Sequence, residues 1–244
     1  MSKLDNNIST QHEMLDNITH KDIKIITDLH PDYGELQSYT TLIPSELEAA
    51  QTEFPIFLRK NSHSKKFELI ALFGMAESEN LFLTKDGWQA HYVPLSIKRK
   101  PFLIGFQNQQ GQQTPVVFID MQSPRISQTE GESVFMPHGG QSGYLQEVSS
   151  ILLALHEGHQ QTDIFIEALE QLALIEPVNL SISLHNGQKI SLGELYTINQ
   201  DVLAALNAEQ IGQLHSQGML KDIYMIIASL GNLTRLIERK NSTL

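Results

Sequence analysis

A change in hydrophobic period part-way along the chain constrains the fold most strongly. Between Phe54 and Asp120, short apolar or alternating runs typical of β-strands are separated by turn residues. Beyond a loop, apolar residues recur every three or four positions from Leu145 to Leu169, as they do along an amphipathic helix. The sequence therefore predicts an α+β fold, with an N-terminal antiparallel β-sheet packed against C-terminal helices and a β-hairpin.

The hairpin and the two ends of the chain follow from local patterns. Alternation over residues 178–184, the turn signal Asn186-Gly187 and the run 188–192 predict a β-hairpin with a type I′ turn. A single amphipathic helix that buries Ile227 is predicted near the C-terminus. Residues 1–24 are polar and aperiodic, which predicts a flexible N-terminal arm before one domain over residues 25–244.

The charge distribution argues against nucleic-acid and membrane-surface binding. Seventeen Lys and Arg against 28 Asp and Glu give a net charge of −11. Residues 126–188 contain acidic residues but no Lys or Arg. Nucleic acids and anionic lipid surfaces are bound through clustered cations, so this half of the chain is expected to repel both.

Composition also bears on location and cofactors. The chain has no cysteine, its first twenty residues hold no apolar signal-peptide core, and no apolar run is long enough to cross a membrane. We therefore expect a cytoplasmic protein with no cofactor and no bound metal. His156 and His159 are three residues apart, whereas the zinc helix of metalloproteases needs four, and a hydrogen-bonded core histidine is the commoner explanation for His159.

A long loop carries the strongest candidate site. Residues 121–143 hold several Pro and Gly residues and few apolar ones, and loops of this length in compact domains are usually functional or disordered. Here Arg125 lies in sequence among Asp120, Glu130 and Glu132. Arg125 either binds a carboxylate-bearing ligand or partner, or it belongs to a structural turn in which it ties down Asp120 or Glu130.

A second candidate is a pair of aromatic residues. Trp88 and Tyr92 are four positions apart in a predicted strand run, so both are expected on one face of the sheet. Exposed there, they could stack on a sugar or a partner protein, but the only Trp of a chain is more often in the core. The basic run 98–100 is interpreted as a solvated edge or loop.

Short motifs over roughly residues 30–241 resemble the SapC family of bacterial proteins, named for a locus of surface-layer protein secretion. In chain order the motifs are Glu53-Phe54-Pro55-Ile56, Glu79-Asn80-Leu81-Phe82-Leu83, Trp88, Tyr92-Val93-Pro94, Pro101-Phe102, Ser123-Pro124-Arg125, Glu130-Gly131-Glu132, Leu195-Tyr196-Thr197-Ile198, Leu214-His215 with Gly218, Ser229-Leu230-Gly231-Asn232-Leu233 and Arg239-Lys240-Asn241.

The resemblance implies an accessory role and assigns no reaction and no catalytic residue. Members of the family occur beside genes for halogenase-like proteins, cupin-like proteins and outer-membrane receptors for glycan uptake. The resemblance thus favours a non-enzymatic cytoplasmic protein that acts through protein partners, with homo-oligomers left open. The alternative is a small-molecule-binding protein or enzyme that uses the 120–132 loop. A concave cavity where Arg125 meets a carboxylate favours the alternative, and a flat apolar patch favours the accessory role.

Overall fold

The computed structural model describes residues 12–109 and 111–244. Its strands, in chain order, are β1 (His12–Met14), β2 (Lys24–Ile25), β3 (Tyr39–Leu42), β4 (Ile56–Lys60), β5 (Phe67–Leu72), β6 (Leu83–Thr84), β7 (Gly87–Trp88), β8 (Phe102–Gln109), β9 (Gln112–Asp120), β10 (Ile126–Ser127), β11 (Glu132–Ser133), β12 (Ile175–Ser183) and β13 (Lys189–Ile198). Its α-helices are α1 (Leu47–Ala50), α2 (Leu95–Lys98), α3 (Gly143–Gln171), α4 (Gln200–Ala204), α5 (Ala208–Ser216), α6 (Met219–Ser229) and α7 (Asn232–Asn241). The predicted α+β class is confirmed. Among these helices, none has both the length and the apolar character needed to cross a bilayer.

The main sheet combines the predicted N-terminal strands with the C-terminal hairpin. Its order is β12-β13-β4-β5-β3, and each neighbouring pair is antiparallel. The hairpin therefore lies within this sheet, where Leu195 and Tyr196 of β13 pair with Arg59 and Leu58 of β4. Its turn is not type I′, because that type needs a positive φ at both central residues and only Gly187 has one.

The predicted strands nearest Asp120 form separate small sheets. β8 and β9 pair with β1 in the order β1-β9-β8, and β2 lies between β10 and β11. His12 of β1 pairs with Asp120 of β9, and Ile23 and Ile25 are buried. Within the segment predicted as an arm, residues 12–14 therefore pair with β9, and the side chains of His20 and Ile23 are buried. Residues 1–11 lie outside the described part of the chain.

Helix α3 spans two hydrophobic clusters. Leu145, Val148 and Leu152 pack in a smaller cluster with the β8–β9 hairpin and β2, and Phe165 and Leu169 pack in a larger one with the main sheet. Gly158 lies between the two sets without interrupting the helix. A Cβ atom at Gly158 would lie 2.4 Å from Cδ1 of Ile43, so glycine allows that side chain to pack directly against the helix.

The predicted C-terminal helix is two helices, α6 and α7, which meet at residues 230–231. At this point the hydroxyl of Ser229 accepts a hydrogen bond of 2.9 Å from the backbone N–H of Ile56 at the start of β4. Ile226 of α6 is fully buried, whereas Ile227 is only partly buried and packs against the edge of the main cluster. The buried face of this helix is thus the one that carries Ile223 and Ile226.

We expect Ile226→Ala to lower the free energy of unfolding by about 2–5 kcal/mol, because it removes a buried side chain and leaves a cavity. Ile227→Ala is the matched control and should cause a smaller loss, because Ile227 is partly exposed. Denaturant unfolding of both variants measures the difference. An equal or larger loss in Ile227→Ala would contradict the placement of the α6 core face.

Candidate functional site

Arg125 is an internal support of the fold and not an exposed anchor. Its side chain is 3 % exposed. Nε and Nη2 donate to Oε1 of Glu35 at 3.1 and 2.5 Å, and Nη1 donates to the carbonyl oxygens of Ile26 and Asp28 at 2.6 and 3.0 Å. The ring of Tyr33 faces the guanidinium, with 5.4 Å from the ring centroid to Cζ. Arg125 therefore ties the 120–132 loop to residues 26–35.

The ion-pair partner of Arg125 is Glu35, and it is fully buried. One of its carboxylate oxygens, Oε2, has no hydrogen-bond partner within the described structure. Burial raises the pKa of Glu35, while the charges of Arg125 and Lys100 act to lower it. The charge of Arg125 is thus balanced inside the protein.

The three carboxylates expected around Arg125 lie elsewhere. Asp120, half-buried at the end of β9, accepts a hydrogen bond of 3.0 Å from the backbone N–H of Gln122. Glu130 is exposed in the loop that joins β10 and β11. Glu132 in β11 is also exposed, and it is the one of the three that shares a cavity with Arg125. The predicted alternative of a tie to Asp120 or Glu130 is therefore wrong, and Glu35 takes that position.

Trp88 and Tyr92 do not form an exposed aromatic face. Trp88 packs against Phe54, Phe73 and Phe82, with ring centroids 5.4 Å apart for Trp88 and Phe73. Its indole N–H donates to the carbonyl oxygen of Tyr92 at 2.9 Å. Because only β7, which ends at Trp88, is a strand here, the expected alternation does not extend to Tyr92.

Tyr92 completes a buried hydrogen-bond network around Glu46. The hydroxyl of Tyr92 and the backbone N–H of Leu95 both donate to Oε1 of Glu46 at 2.8 Å. The backbone N–H of Ile43 donates to Oε2 at 3.0 Å. Burial raises the pKa of Glu46, and these three hydrogen bonds act to lower it. The network fixes the start of α2 against the turn before α1.

We expect Tyr92→Phe to lower the free energy of unfolding by about 1.5–3 kcal/mol, the usual contribution of a hydrogen bond to a charged group. The pKa of Glu46 should rise further, because the lost donor favoured the ionised form. Tyr224→Phe serves as the control, since Tyr224 is 53 % exposed. Denaturant unfolding and NMR titration measure the two effects. Matching stabilities of the two variants would contradict the network's structural role.

A cavity of about 460 Å³ lies where α2, α3 and the 120–132 loop meet. Helix α3 contributes Tyr144, Glu147, Val148 and Ile151, whose spacing of three and four residues puts them on one side of the helix. The remaining walls come from the loop after β2, from α2 and the residues beside it, from the loop before β10 and from β11. They consist of Thr27, Leu29, Val93, Ile97, Lys98, Lys100, Arg125 and Glu132.

Burial changes the proton affinity of two groups in this cavity. It raises the pKa of Tyr144 to about 12, and Glu147 and Glu132 add to the rise. It lowers the pKa of Lys100, while Glu35 opposes that shift. Tyr144 therefore keeps its proton at neutral pH and can donate a hydrogen bond into the cavity.

Most of the residues that line this cavity were not predicted as site residues. The basic run 98–100, interpreted as a solvated edge or loop, lies at the end of α2 and in the turn after it. Lys98 and Lys100 line the cavity, and Arg99 donates to the carbonyl oxygen of Phe102 at 2.8 Å. The α3 residues could have been found from their helical spacing. Glu35 and Leu29 carry no local signal, because each reaches the site only through the tertiary fold.

His156 and His159 both lie on α3. Across residues 12–109 and 111–244, no three His, Asp or Glu side chains are placed to hold one ion together. The ring of His156 contacts that of Phe106, with a centroid distance of 4.6 Å. His159 is exposed and not a core residue, although partial burial of its ring lowers its pKa.

Comparisons with known proteins identify one family. Residues 15–236 match the family model described as SapC. No curated protein and no solved structure matches the chain.

Proposed function

The chain belongs to the SapC family, and from this premise we propose that it is a non-enzymatic accessory protein that binds a small amphipathic molecule in the cavity beside α3. The observation that carries the proposal is the composition of the cavity walls. Leu29, Val93, Ile97, Val148 and Ile151 provide apolar surface, and charged side chains lie at the same opening.

The size and shape of the cavity support a small ligand. Its volume of about 460 Å³ falls within the range of about 300–1,000 Å³ that is typical of small-molecule sites. Arg125 and the carboxylate of Glu132 both line it, as the small-molecule alternative from the sequence required. The geometry therefore favours that alternative over a flat surface as the site of binding.

A binding role also fits the protonation of Tyr144 and the hydrogen bonds of Arg125. Tyr144 keeps its proton at neutral pH, and burial raises its pKa further, so its hydroxyl can donate a hydrogen bond to a ligand. Arg125 is held by Glu35 and two carbonyl groups, so it shapes the wall with little freedom to move. Such groups orient a ligand by fixed hydrogen bonds and charge.

Metabolite capture tests the proposal. Tagged protein purified from its native host is denatured, and the released small molecules are identified by mass spectrometry. The control is Ile151→Trp, which fills the cavity with a larger side chain, purified in the same way and checked by its melting temperature. We expect one class of small molecule to be enriched on the wild type and lost from folded Ile151→Trp. Equal small-molecule content in both would contradict a ligand role for the cavity.

A second candidate function, protein binding, is favoured by the exposed face of α3. Leu153 and Ile164 are 46 % and 59 % exposed, and Glu157 and Glu167 lie close to them on the helix surface. Apolar side chains among acidic ones fit a basic partner protein. Halogenase-like, secretion or glycan-uptake components are the partners that the family resemblance implies, and the expected cytoplasmic location stays a prediction.

Charge reversal tests this second candidate. Glu157→Lys with Glu167→Lys should abolish co-purification of any protein partner, while Glu209→Lys, on exposed α5, should leave it intact. Retention of the same partner by the double variant would contradict binding through this face of α3.

A further inference from the structure

The cavity beside α3 is lined by charged side chains of both signs. Lys98, Lys100, Glu132 and Glu147 line it, and none of the four forms an ion pair within the described ranges. Among the described residues, their charged groups form one hydrogen bond, from Nζ of Lys100 to Oε1 of Gln37 at 3.3 Å. Arg125 differs from them, because Glu35 neutralises it.

The two signs come from different elements. Both lysines lie at or just after the end of α2, whereas Glu132 belongs to β11 and Glu147 to the first turns of α3. Lys98, Glu132 and Glu147 are exposed at the edge of the cavity, and Lys100 is half-buried. The cavity thus has a basic side and an acidic side, with apolar surface from both helices.

This arrangement selects against ligands with one charge. An anion is attracted to the lysines and repelled by Glu132 and Glu147. A cation is attracted to these two glutamates and repelled by the lysines. An anion is also disfavoured at long range by the net charge of −11. A ligand with zero net charge and separated charges satisfies both sides of the cavity.

We propose that the ligand is a zwitterion of the α-amino-acid class, or a short peptide end, with an apolar side chain. Its carboxylate lies towards Lys98 and Lys100, its ammonium group lies towards Glu132 and Glu147, and its side chain packs on Ile97, Val148 and Ile151. This inference rests on the proposed small-molecule function and names the class of ligand for the same cavity.

Three probes with the same phenyl group test the inference by calorimetric titration of the full chain. Phenylalanine has both charges, 3-phenylpropanoate lacks the ammonium group, and 2-phenylethylamine lacks the carboxylate. We expect phenylalanine to bind at least tenfold more tightly than either analogue, a difference of about 1.4 kcal/mol. Binding of 3-phenylpropanoate as tight as that of phenylalanine would overturn the zwitterion class while leaving a small-molecule function intact.

Variants that remove charges from the cavity test which of its residues bind the ammonium group of the ligand and which bind the carboxylate. The double variant Glu132→Gln, Glu147→Gln should weaken phenylalanine at least tenfold and leave 3-phenylpropanoate unchanged or tighter. Lys98→Gln should weaken phenylalanine and 3-phenylpropanoate but not 2-phenylethylamine. The double variant Glu209→Gln, Glu238→Gln and the single variant Lys85→Gln make the same charge changes on exposed residues outside the cavity and should have no effect.

Two results would overturn the inference. One is a Kd above about 10 mM for all three probes with the wild type, in which case metabolite capture decides the broader proposal independently. The other is equal loss of phenylalanine binding in the cavity variants and in the two surface controls, which would show that overall charge and not the cavity governs binding.

Discussion

Arg125→Ala is expected to lower the free energy of unfolding by about 3–5 kcal/mol, because it leaves the buried carboxylate of Glu35 without its counter-charge. Two backbone carbonyl groups, those of Ile26 and Asp28, also lose their donor. Lys85→Ala removes an exposed cation and is the matched control. Denaturant unfolding measures both, and a change in Arg125→Ala as small as that in the control would contradict the structural role of the pair.

Variants of Glu35 test whether the loss of stability comes from the ion pair or from each side chain separately. Glu35→Leu alone should also be strongly destabilising, since it leaves the guanidinium of Arg125 buried and unpaired. The double variant Glu35→Leu, Arg125→Leu should lose less stability than the sum of the single changes, because neither charge then remains. Additive losses would show that the two side chains act independently.

Phe54→Ala is expected to lower the free energy of unfolding by about 3–5 kcal/mol, the usual result for a fully buried aromatic residue. Phe54 is 4.8 Å from Phe82 and 5.1 Å from Phe73, measured between ring centroids, and it contacts Trp88. Since Trp88 is the only Trp, its fluorescence reports on this cluster directly. We expect its emission to shift to longer wavelength in Phe54→Ala.

The control for Phe54 is Phe106→Ala, because Phe106 is half-buried on β8 and outside the aromatic cluster. It should cause a smaller loss of stability and leave the emission of Trp88 unchanged. Equal losses, or an unchanged spectrum in Phe54→Ala, would contradict the central position of Phe54 in the core.

The spacing of apolar residues along the chain predicted individual helices and strands, because that spacing depends only on neighbouring residues. The helical spacing from Leu145 to Leu169 marked α3, and strict alternation marked β12. The partner of each strand was not predictable, because pairing of β13 with β4 joins residues more than a hundred positions apart. Pairing of β1 with β9 also joins distant residues, His12 with Asp120. The sequence therefore did not show that the hairpin of β8 and β9 belongs to a separate sheet with β1.

The candidate site shows the same limit. Arg125 was identified as an unusual residue, but its partner Glu35 lies 90 positions away and could not be chosen over the nearby Asp120, Glu130 and Glu132. Burial then changed the interpretation of Arg125 from surface anchor to internal support. The cavity could not be predicted from the sequence, because its walls come from α2, α3 and loops that only the tertiary fold brings together.

NMR of the isoleucine δ1-methyl groups tests most directly whether the cavity beside α3 is the ligand site. Ile97 and Ile151 line the cavity, whereas Ile70 and Ile226 are fully buried in the main core away from it. With saturating phenylalanine, the account predicts shifts of the Ile97 and Ile151 methyl signals and no change in those of Ile70 and Ile226. Unchanged signals for Ile97 and Ile151 with phenylalanine and with both of its single-charge analogues would contradict it.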